Sequence, residues 1–533
     1  MEKVYVEITA SRGAAVAAVL KYQEPDLSAE FHIITESGIE QEQKKFADAK
    51  KAVIEELNEL AASNEIFAAH LEIAGDFTLQ EGVDAKIRSE KKNAQAAVSE
   101  TIEEFAALFD SMDDAYMKER AADVRDIGKR FMAKLKGITL PDLGSIRTET
   151  IVAARDLYPS DTVKIDPALV KGIITEEGGV TSHVSILAKN MNIPILVGVT
   201  GILDKLTDGG IVCMDAGEGT IVIDPDETAL AEYDARKEAY EQEQMRLERL
   251  RSQPAVTREG RRILLCANVG NAEDIEHALK MNIDGVGLFR SEFLYMENTH
   301  FPTEEEQFEV YRRAAQLCPQ ELTIRTLDIG GDKELSYFEF DKEDNPFLGW
   351  RAIRISLDMR DMFKTQLRSI LRASAYGHVR IMFPMIISPE ELREAKAVVA
   401  ECKQELLAEG KAFDDGIELG MMMETPASVL LAEEFAKEAD FFSIGTNDLT
   451  QYLLAVDRGN RKIADRYDYF HPAVIRAIGQ IIEAGHKEGI KVGMCGEMAG
   501  DQKAVPKLLE LGLDEFSMSA GSIDYVREQI LNM

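Results

Sequence analysis

The sequence predicts a multidomain α/β protein in which a small α/β domain and a helical bundle share the first half and a (β/α)8 barrel of the TIM type fills the second. Three observations carry that reading. After residue 254, apolar strand-like runs alternate eight times with amphipathic stretches of helical period. From about Ser37 to Leu135 the apolar spacing is helical throughout. Between the two lies a series of short β-rich runs with intervening helix. A chain of 533 residues has room for about three domains and more than one core, so these segments read as separate folding units.

Taken in order, residues 1 to about 30 hold short apolar segments. KKFADAKKAVIEELNELAAS and SETIEEFAALFDSMDDAYMKERAADVRDIGKRFMAKL then read as members of a compact bundle. ETIVAA, VKGIITEEGG, PILVGV, IVCMDAGEG and TIVIDPD are strand-like, so the bundle either interrupts or precedes a small α/β domain. Past Pro225, TALAEYDARKEAYEQEQMRLERLRSQ is charged and helical and stops before Pro254, which suits a solvent-exposed connector. The barrel strands are ILLCANVG, GVGLFRSE, LTIRTLDIGG, VRIMFPMI, IELGMMMET, FFSIGTNDL, KVGMCGEMAG and DEFSMS. Their helices are expected to begin near Asn271, Thr303, Asp361, Pro389, Pro426, His471, Asp501 and Ser522.

Composition removes several classes. The formal net charge of −34 repels nucleic acid phosphates and anionic membranes, and fits a basic partner protein better. No apolar run approaches the roughly 20 residues that span a bilayer. MEKVYVEITA has no basic segment followed by an apolar one, so no secretory signal is expected and the cytoplasm is the expected location. Cys213, Cys266, Cys318, Cys402 and Cys495 form no CxxC pair or disulfide framework and are expected to be free thiols.

In a (β/α)8 barrel, chemistry gathers where strands end and loops begin. Arg290, Arg325, Asp328, Glu424, Asn447, Asp448 and Cys495 fall there, with Arg351 and Arg458 in the loops after strands three and six. Four arginines on one mouth are costly without an anion, and their forked donors match phosphate and carboxylate oxygens, which points to a small, doubly anionic substrate. Glu424 and Asp448 add hard oxygen donors suited to Mg²⁺ together with substrate oxygens and water, and Asn447 is placed to orient a phosphate. Any one of these arginines could equally pair with a surface acid; the set, all on one predicted face, argues otherwise. Cys495 reads either as a small buried apolar residue or, from its strand-end position, as a proton donor.

The run EEGGVTSHVSILAKNMNIP sets Gly178 and Gly179 at a tight strand-to-helix turn, Thr181 and Ser182 as helix caps, and His183 at the helix start. There the helix dipole disfavours imidazolium and favours an attached phosphoryl group, and a hydroxyl such as that of Thr162 could fix the ring tautomer. A histidine beside a cap is more often an ordinary surface residue. Of the others, only His70, on the bundle, and His471, opening a barrel helix, invite attention.

At this point the sequence resembles the enzyme I family of the bacterial phosphoenolpyruvate:sugar phosphotransferase system, over nearly the whole chain. The matching stretches are KERAADVRDIGKR, GGVTSHVSILAKNMNIPILVG, DGVGLFRSEFL, TLDIGGDKEL, NPFLGWRAIR, RIMFPMI, METPASV, FFSIGTNDLTQYLLAVDRGN and GMCGEMAGD. The resemblance implies a swivelling phosphohistidine α/β domain at 1–30 and 140–226, an inserted helical bundle at 31–139, a linker helix at 227–253 and a phosphoenolpyruvate-binding barrel at 254–533. It also implies phosphorylation of His183, contacts to phosphoenolpyruvate from Arg290, Arg325, Arg351, Asn447, Asp448 and Arg458, Mg²⁺ on Glu424 and Asp448, and protonation of the enolate by Cys495 as pyruvate forms. The implied acceptor is the histidine-containing phosphocarrier protein HPr, docking on the bundle, and the implied assembly is a homodimer through the barrel. Because His183 and the arginines would belong to different domains, two domain arrangements are expected.

Two departures from that family stand out. The chain ends at Met533, soon after the eighth strand, where family members continue through a further helical tail, so barrel closure and dimer strength are the points most open to correction. ITASRGAAV carries Arg12 in place of the usual proline, for which a locally altered turn is expected. Pyruvate phosphate dikinase and phosphoenolpyruvate synthase share the phosphohistidine and barrel modules but add a nucleotide-binding domain. Here the residues before the α/β core read as a bundle without a Gly-rich phosphate loop. A non-catalytic sensor of phosphoenolpyruvate would be expected to lack the nucleophile, a metal ligand or the proton donor, and all three are present.

Overall fold

Strand β1 (Glu2–Tyr5), β2 (Thr9–Ser11) and β3 (Ala14–Tyr22) open the chain. The structure, a computed structural model, describes all residues except 7, 8, 24, 62–64, 111–114, 163, 180–182, 192, 297, 331–334, 336 and 461; for some residues inside helices and strands, His183 among them, it describes the backbone alone. The chain divides into two units, Met1–Gln244 and Met245–Met533.

In the first unit, five helices follow β3: α1 (Ile39–Ala61), α2 (Glu65–Gly75), α3 (Phe77–Ser89), α4 (Ala94–Asp110) and α5 (Ala115–Lys136). On α1, Phe46, Ala49, Val53 and Leu57 recur at helical spacing and are all buried, and Phe46, Val53 and Leu57 share a core with Val83, Ile87, Val98, Ile127 and Phe131 from the other helices. The chain then returns as β4 (Thr150–Ala154), α6 (Pro159–Thr162), β5 (Val170–Thr175), α7 (His183–Asn190), β6 (Ile195–Leu196), α8 (Ile202–Lys205), β7 (Ile211–Asp215) and β8 (Thr220–Ile223). All eight strands form one sheet, ordered β1-β8-β7-β3-β4-β5-β6-β2. Since β3 pairs in parallel with β4, Lys21 opposite Ala153, the bundle interrupts the α/β domain rather than preceding it. Arg12 lies in the turn between β2 and β3. The next residue, Gly13, has φ +136°, and a Cβ there would sit 2.7 Å from Pro194 Cγ, so only glycine fits that turn.

Helix α9 (Glu227–Leu250) leads to the barrel. Its strands are β9 (Leu264–Val269), β10 (Gly285–Arg290), β11 (Glu321–Arg325), β12 (His378–Phe383), β13 (Glu418–Met423), β14 (Phe441–Ile444), β15 (Lys491–Met494) and β16 (Glu515–Met518). All are parallel and almost entirely buried, as expected for strands lying between an inner layer of side chains and an outer ring of helices. The barrel closes: β16 pairs with β9, Phe516 opposite Leu265 and Met518 opposite Ala267, which answers the question of barrel closure.

Between strands run α10 (Ala272–Leu279), α11 (Glu292–Met296), α12 (Glu304–Leu317), α13 (Ile353–Asp358), α14 (Arg360–Ala373), α15 (Pro389–Ala408), α16 (Pro426–Leu430), α17 (Ala432–Ala436), α18 (Thr446–Leu454), α19 (Pro472–Glu488) and α20 (Val505–Leu511), with α21 (Ala520–Asn532) last. Asn271 caps α10, Thr303 forms a capping box with Glu306, and Pro389, Pro426 and Pro472 occupy first turns, as the sequence indicated. The helix expected near Asp501 starts at Val505, after a 3₁₀ turn at Glu497–Gly500. The run FFSIGTNDL is strand only as far as Ile444, and the unforeseen α18 begins two residues later. On α21, the buried Arg527 donates to the carbonyls of Gln253 (2.7 Å), Met281 (2.9 Å) and Asn282 (2.7 Å), tying the last helix to the barrel's entry segment. All five cysteines are free thiols.

Candidate active site

A cleft of about 320 Å³ opens at the carboxyl ends of the barrel strands. Arg290 and Arg325 reach it as the final residues of β10 and β11, Glu424 and Cys495 as the first residues beyond β13 and β15. Asn447 and Asp448 come from the first turn of α18, Arg351 from just before α13 and Arg458 from just beyond α18. With Asp328, which follows β11, all nine barrel residues singled out in the sequence therefore line one cavity.

The four arginines occupy two settings. Arg325 and Arg351 are buried, and burying a guanidinium is tolerable only beside compensating carboxylates. Asp328 supplies one to both: its Oδ2 lies 3.0 Å from Arg325 and its Oδ1 2.9 Å from Arg351. Glu292 also pairs with Arg325, and Asp448 lies 3.6 Å from Arg351. These neighbours hold both guanidiniums charged against the opposing effect of burial. Arg290 and Arg458 are exposed at the rim. The Asn447 side chain faces Glu497, donating to its carboxylate at 3.3 Å and accepting from its backbone N–H at 3.0 Å.

Glu424 is almost fully buried, and burial, reinforced by the negative charges of Asp448 and Asp328, pushes its carboxyl well above the usual range. Its Oε1 accepts from the Met385 N–H at 2.7 Å, an N–H aimed by a backbone φ of +57°. Asp448 Oδ1 is buried without a hydrogen-bond partner among the described residues. The cleft sets four arginines against five carboxylates, Glu292, Asp328, Glu424, Asp448 and Glu497, so side chains alone do not make it attractive to an anion. Crowded carboxylates with an orphaned oxygen fit a hard divalent cation held by Glu424 and Asp448. Among the described residues no three His, Cys, Asp or Glu side chains are arranged to hold a metal, so two carboxylates would share such an ion with substrate and water.

Cys495 sits among Leu288, Met382, Met422 and Phe441. Burial pushes its thiol up to about 11, so the thiol keeps its proton at neutral pH.

In the first unit, His183 is the first residue of α7. Gly178 has φ +96°, the left-handed turn its position required, and the Ser185 hydroxyl donates to the Gly179 carbonyl at 2.7 Å, fastening turn to helix. Thr181 and Ser182 lie outside the described residues. Thr162 is fully buried at the end of α6, which packs against α7. His70 is fully buried between Asp123 (3.1 Å) and Asp126 (3.5 Å) on α5, and His471 caps α19 by accepting from the Ala473 N–H; both roles are structural.

Sequence reasoning passed over Glu292, Glu497 and Tyr452 as parts of this site. Glu292 was legible in principle, two residues beyond Arg290 at a strand end. Met385 acts through its backbone and leaves no side-chain signal.

Three family models match the chain: the phosphoenolpyruvate-utilising enzyme N-terminal domain over residues 8–120, its mobile domain over 146–219 and its phosphoenolpyruvate-binding domain over 244–533. Proteins named phosphoenolpyruvate-protein phosphotransferase from Bacillus sp. (strain S) and from Geobacillus stearothermophilus are each 45% identical, covering 99% of this chain and 93% of theirs. The protein of that name from Bacillus subtilis (strain 168) is 45% identical, over 98% of this chain and 93% of its own.

Proposed function

Since the chain belongs to the phosphoenolpyruvate-protein phosphotransferases of the phosphoenolpyruvate-utilising enzyme family, we propose that it moves the phosphoryl group of phosphoenolpyruvate to His183 and then to a histidine of the phosphocarrier HPr, releasing pyruvate. This is the first step of phosphotransferase-system sugar uptake and takes place in the cytoplasm. The observation that carries the reading is the convergence of four arginines, two metal-suited carboxylates and a protonated thiol in one cleft.

In this reading Arg290, Arg325, Arg351 and Arg458 bind the phosphate and carboxylate of the substrate, and Asn447 orients the phosphate. Mg²⁺ held by Glu424 and Asp448 would supply electrostatic stabilisation of the phosphoryl oxygens. A neutral imidazole nitrogen of His183 attacks phosphorus in line as the P–O bond breaks, while Thr162 holds the other ring nitrogen. Electrons of the departing enolate take the Cys495 proton at carbon, giving pyruvate, and the thiolate regains a proton from solvent. Gly178 and Gly179, with Thr181 and Ser182, shape the helix start that favours phosphohistidine. Nucleophile and cleft belong to different units of the chain, so turnover includes a step that brings them together.

HPr docks on the bundle α1–α5, and the barrel carries a homodimer contact. Nucleic acid is no partner for a chain of net charge −34, and no helix among the described residues is long and apolar enough to cross a membrane. Peptide mass spectrometry after Mg²⁺ and phosphoenolpyruvate tests the central claim. A single acid-labile phosphoryl group on the His183 peptide is expected, absent from His183→Ala and from an ATP-only sample. Folded protein that acquires none would overturn the reading.

A further inference from the structure

Helix α18 contributes more to the cleft than Asn447 and Asp448. One turn beyond Asp448, Tyr452 turns its hydroxyl toward Arg351 and accepts a hydrogen bond from one terminal nitrogen of the guanidinium at 3.1 Å. The same hydroxyl donates to the carbonyl of Phe347, whose ring lies 5.8 Å from the Arg351 guanidinium carbon. The other terminal nitrogen is taken by Asp328 at 2.9 Å. Nε of Arg351 is buried and has no hydrogen-bond partner among the described residues. The fork is thus pinned at both tips, with the Nε–H left over and one further N–H on each tip. A guanidinium presents its five donors in one plane, so fixing two of them fixes where the others point.

The backbone around Arg351 is equally constrained. Ala352 holds a φ of +54°, its N–H donates to the Ile329 carbonyl at 3.0 Å, and a Cβ on Gly330 would lie 2.8 Å from Arg351 Cβ. What the main chain leaves open is rotation of a long side chain, and Tyr452 closes that freedom. A carboxylate in its place would hold the guanidinium as well but would cancel the charge an anionic substrate needs. The phenol does not, because burial pushes its hydroxyl up to about 12 and keeps it neutral at working pH.

We infer that Tyr452 is a positioning residue for substrate binding: it clips the Phe347–Arg351 segment to α18 and aims Arg351 at the anion. The inference rests on Arg351 contacting phosphoenolpyruvate, as proposed above. It concerns binding rather than bond making, so its signature is in KM.

Tyr452→Phe in the full-length chain keeps the ring and removes the hydroxyl alone. Loss of one hydrogen bond to a charged group corresponds to about tenfold weaker binding, so KM for phosphoenolpyruvate is expected to rise about tenfold with kcat within about threefold of the parent. Trp350, the single tryptophan of the chain, lies in the clipped segment, and its emission is expected to shift in Tyr452→Phe without substrate. A purely structural role would move the thermal midpoint and not the KM-against-kcat split. Arg351→Lys, which keeps the charge but not the fork, separates the two claims. Raised KM in Arg351→Lys with unchanged KM in Tyr452→Phe overturns the role of Tyr452 alone. Unchanged KM in both overturns the assignment of Arg351 and the inference with it. A fall in kcat at unchanged KM in Tyr452→Phe likewise overturns the positioning role.

Discussion

Gly445→Ala tests how the Glu424 carboxylate is held. Gly445 has φ −87°, which alanine adopts without strain, so the substitution acts through space alone. A Cβ there would lie 2.8 Å from Glu424 Oε2 and 3.0 Å from Met422 Cγ and Sδ. The Met385 N–H holds the other carboxylate oxygen at 2.7 Å, so Glu424 cannot swing aside without giving up that bond. Relieving the contact shifts Oε2 by about 0.5 Å, beyond the roughly 0.2 Å within which metal–ligand distances are conserved. Displacing a ligand's support typically costs about 10–100-fold in metal affinity, or about 1.4–2.7 kcal/mol. Titration of Mn²⁺ as a paramagnetic stand-in for Mg²⁺, followed by electron paramagnetic resonance with thermal unfolding as a fold check, reads this directly. Folded Gly445→Ala that binds Mn²⁺ within twofold of the parent would refute the reasoning.

Three further outcomes are expected. Cys495→Ala should slow pyruvate formation by about 10²–10⁴-fold with little change in KM, because the proposed general acid is lost while the arginines remain. The parent's proton-donating step should hold through neutral pH and fail as pH rises through about 11, where the thiol loses its proton; a pH–rate profile that falls two units lower would count against the assignment. Arg527→Met should strip donors from three carbonyls and destabilise the barrel by about 3–5 kcal/mol in urea unfolding, fewer than the summed bonds because they share one side chain. A loss under about 1 kcal/mol would mean that closure does not depend on that tether.

Much of this architecture was legible because buried parallel strands are apolar on both faces and their helices announce themselves with caps and first-turn prolines, as at Asn271, Thr303, Pro389 and Pro472. The arginines and carboxylates of the cleft were legible for a related reason: strand ends in a barrel all face one way, so sequence position substitutes for distance. Periodicity failed at Ile444–Thr446, where the strand ends and α18 begins with only Gly445 between them, too little chain for a separate helical pattern to show. Tyr452 was hidden in the same run, as one aromatic in LTQYLL. Whether the bundle interrupted or preceded the sheet is a matter of pairing between β3 and β4, which no local pattern encodes. The Met385 N–H and the space beside Gly445 are backbone properties, invisible until the fold brings them against Glu424.

The split of the sheet around the bundle also has a consequence in time. Tyr22 lies opposite Ala154, so about 130 residues must be made between one edge of that pairing and the other. At ribosomal rates of about 5–20 residues per second, β3 waits about 6–26 s for its parallel neighbour. Its remaining partner, β7, emerges later still. Throughout that interval a nine-residue apolar strand stands unpaired on the nascent chain while α1–α5, whose core is drawn from their own side chains, can already fold. The bundle is therefore the first part of the molecule able to reach its final form, and a chaperone that recognises extended apolar segments has its clearest target at Ala14–Tyr22.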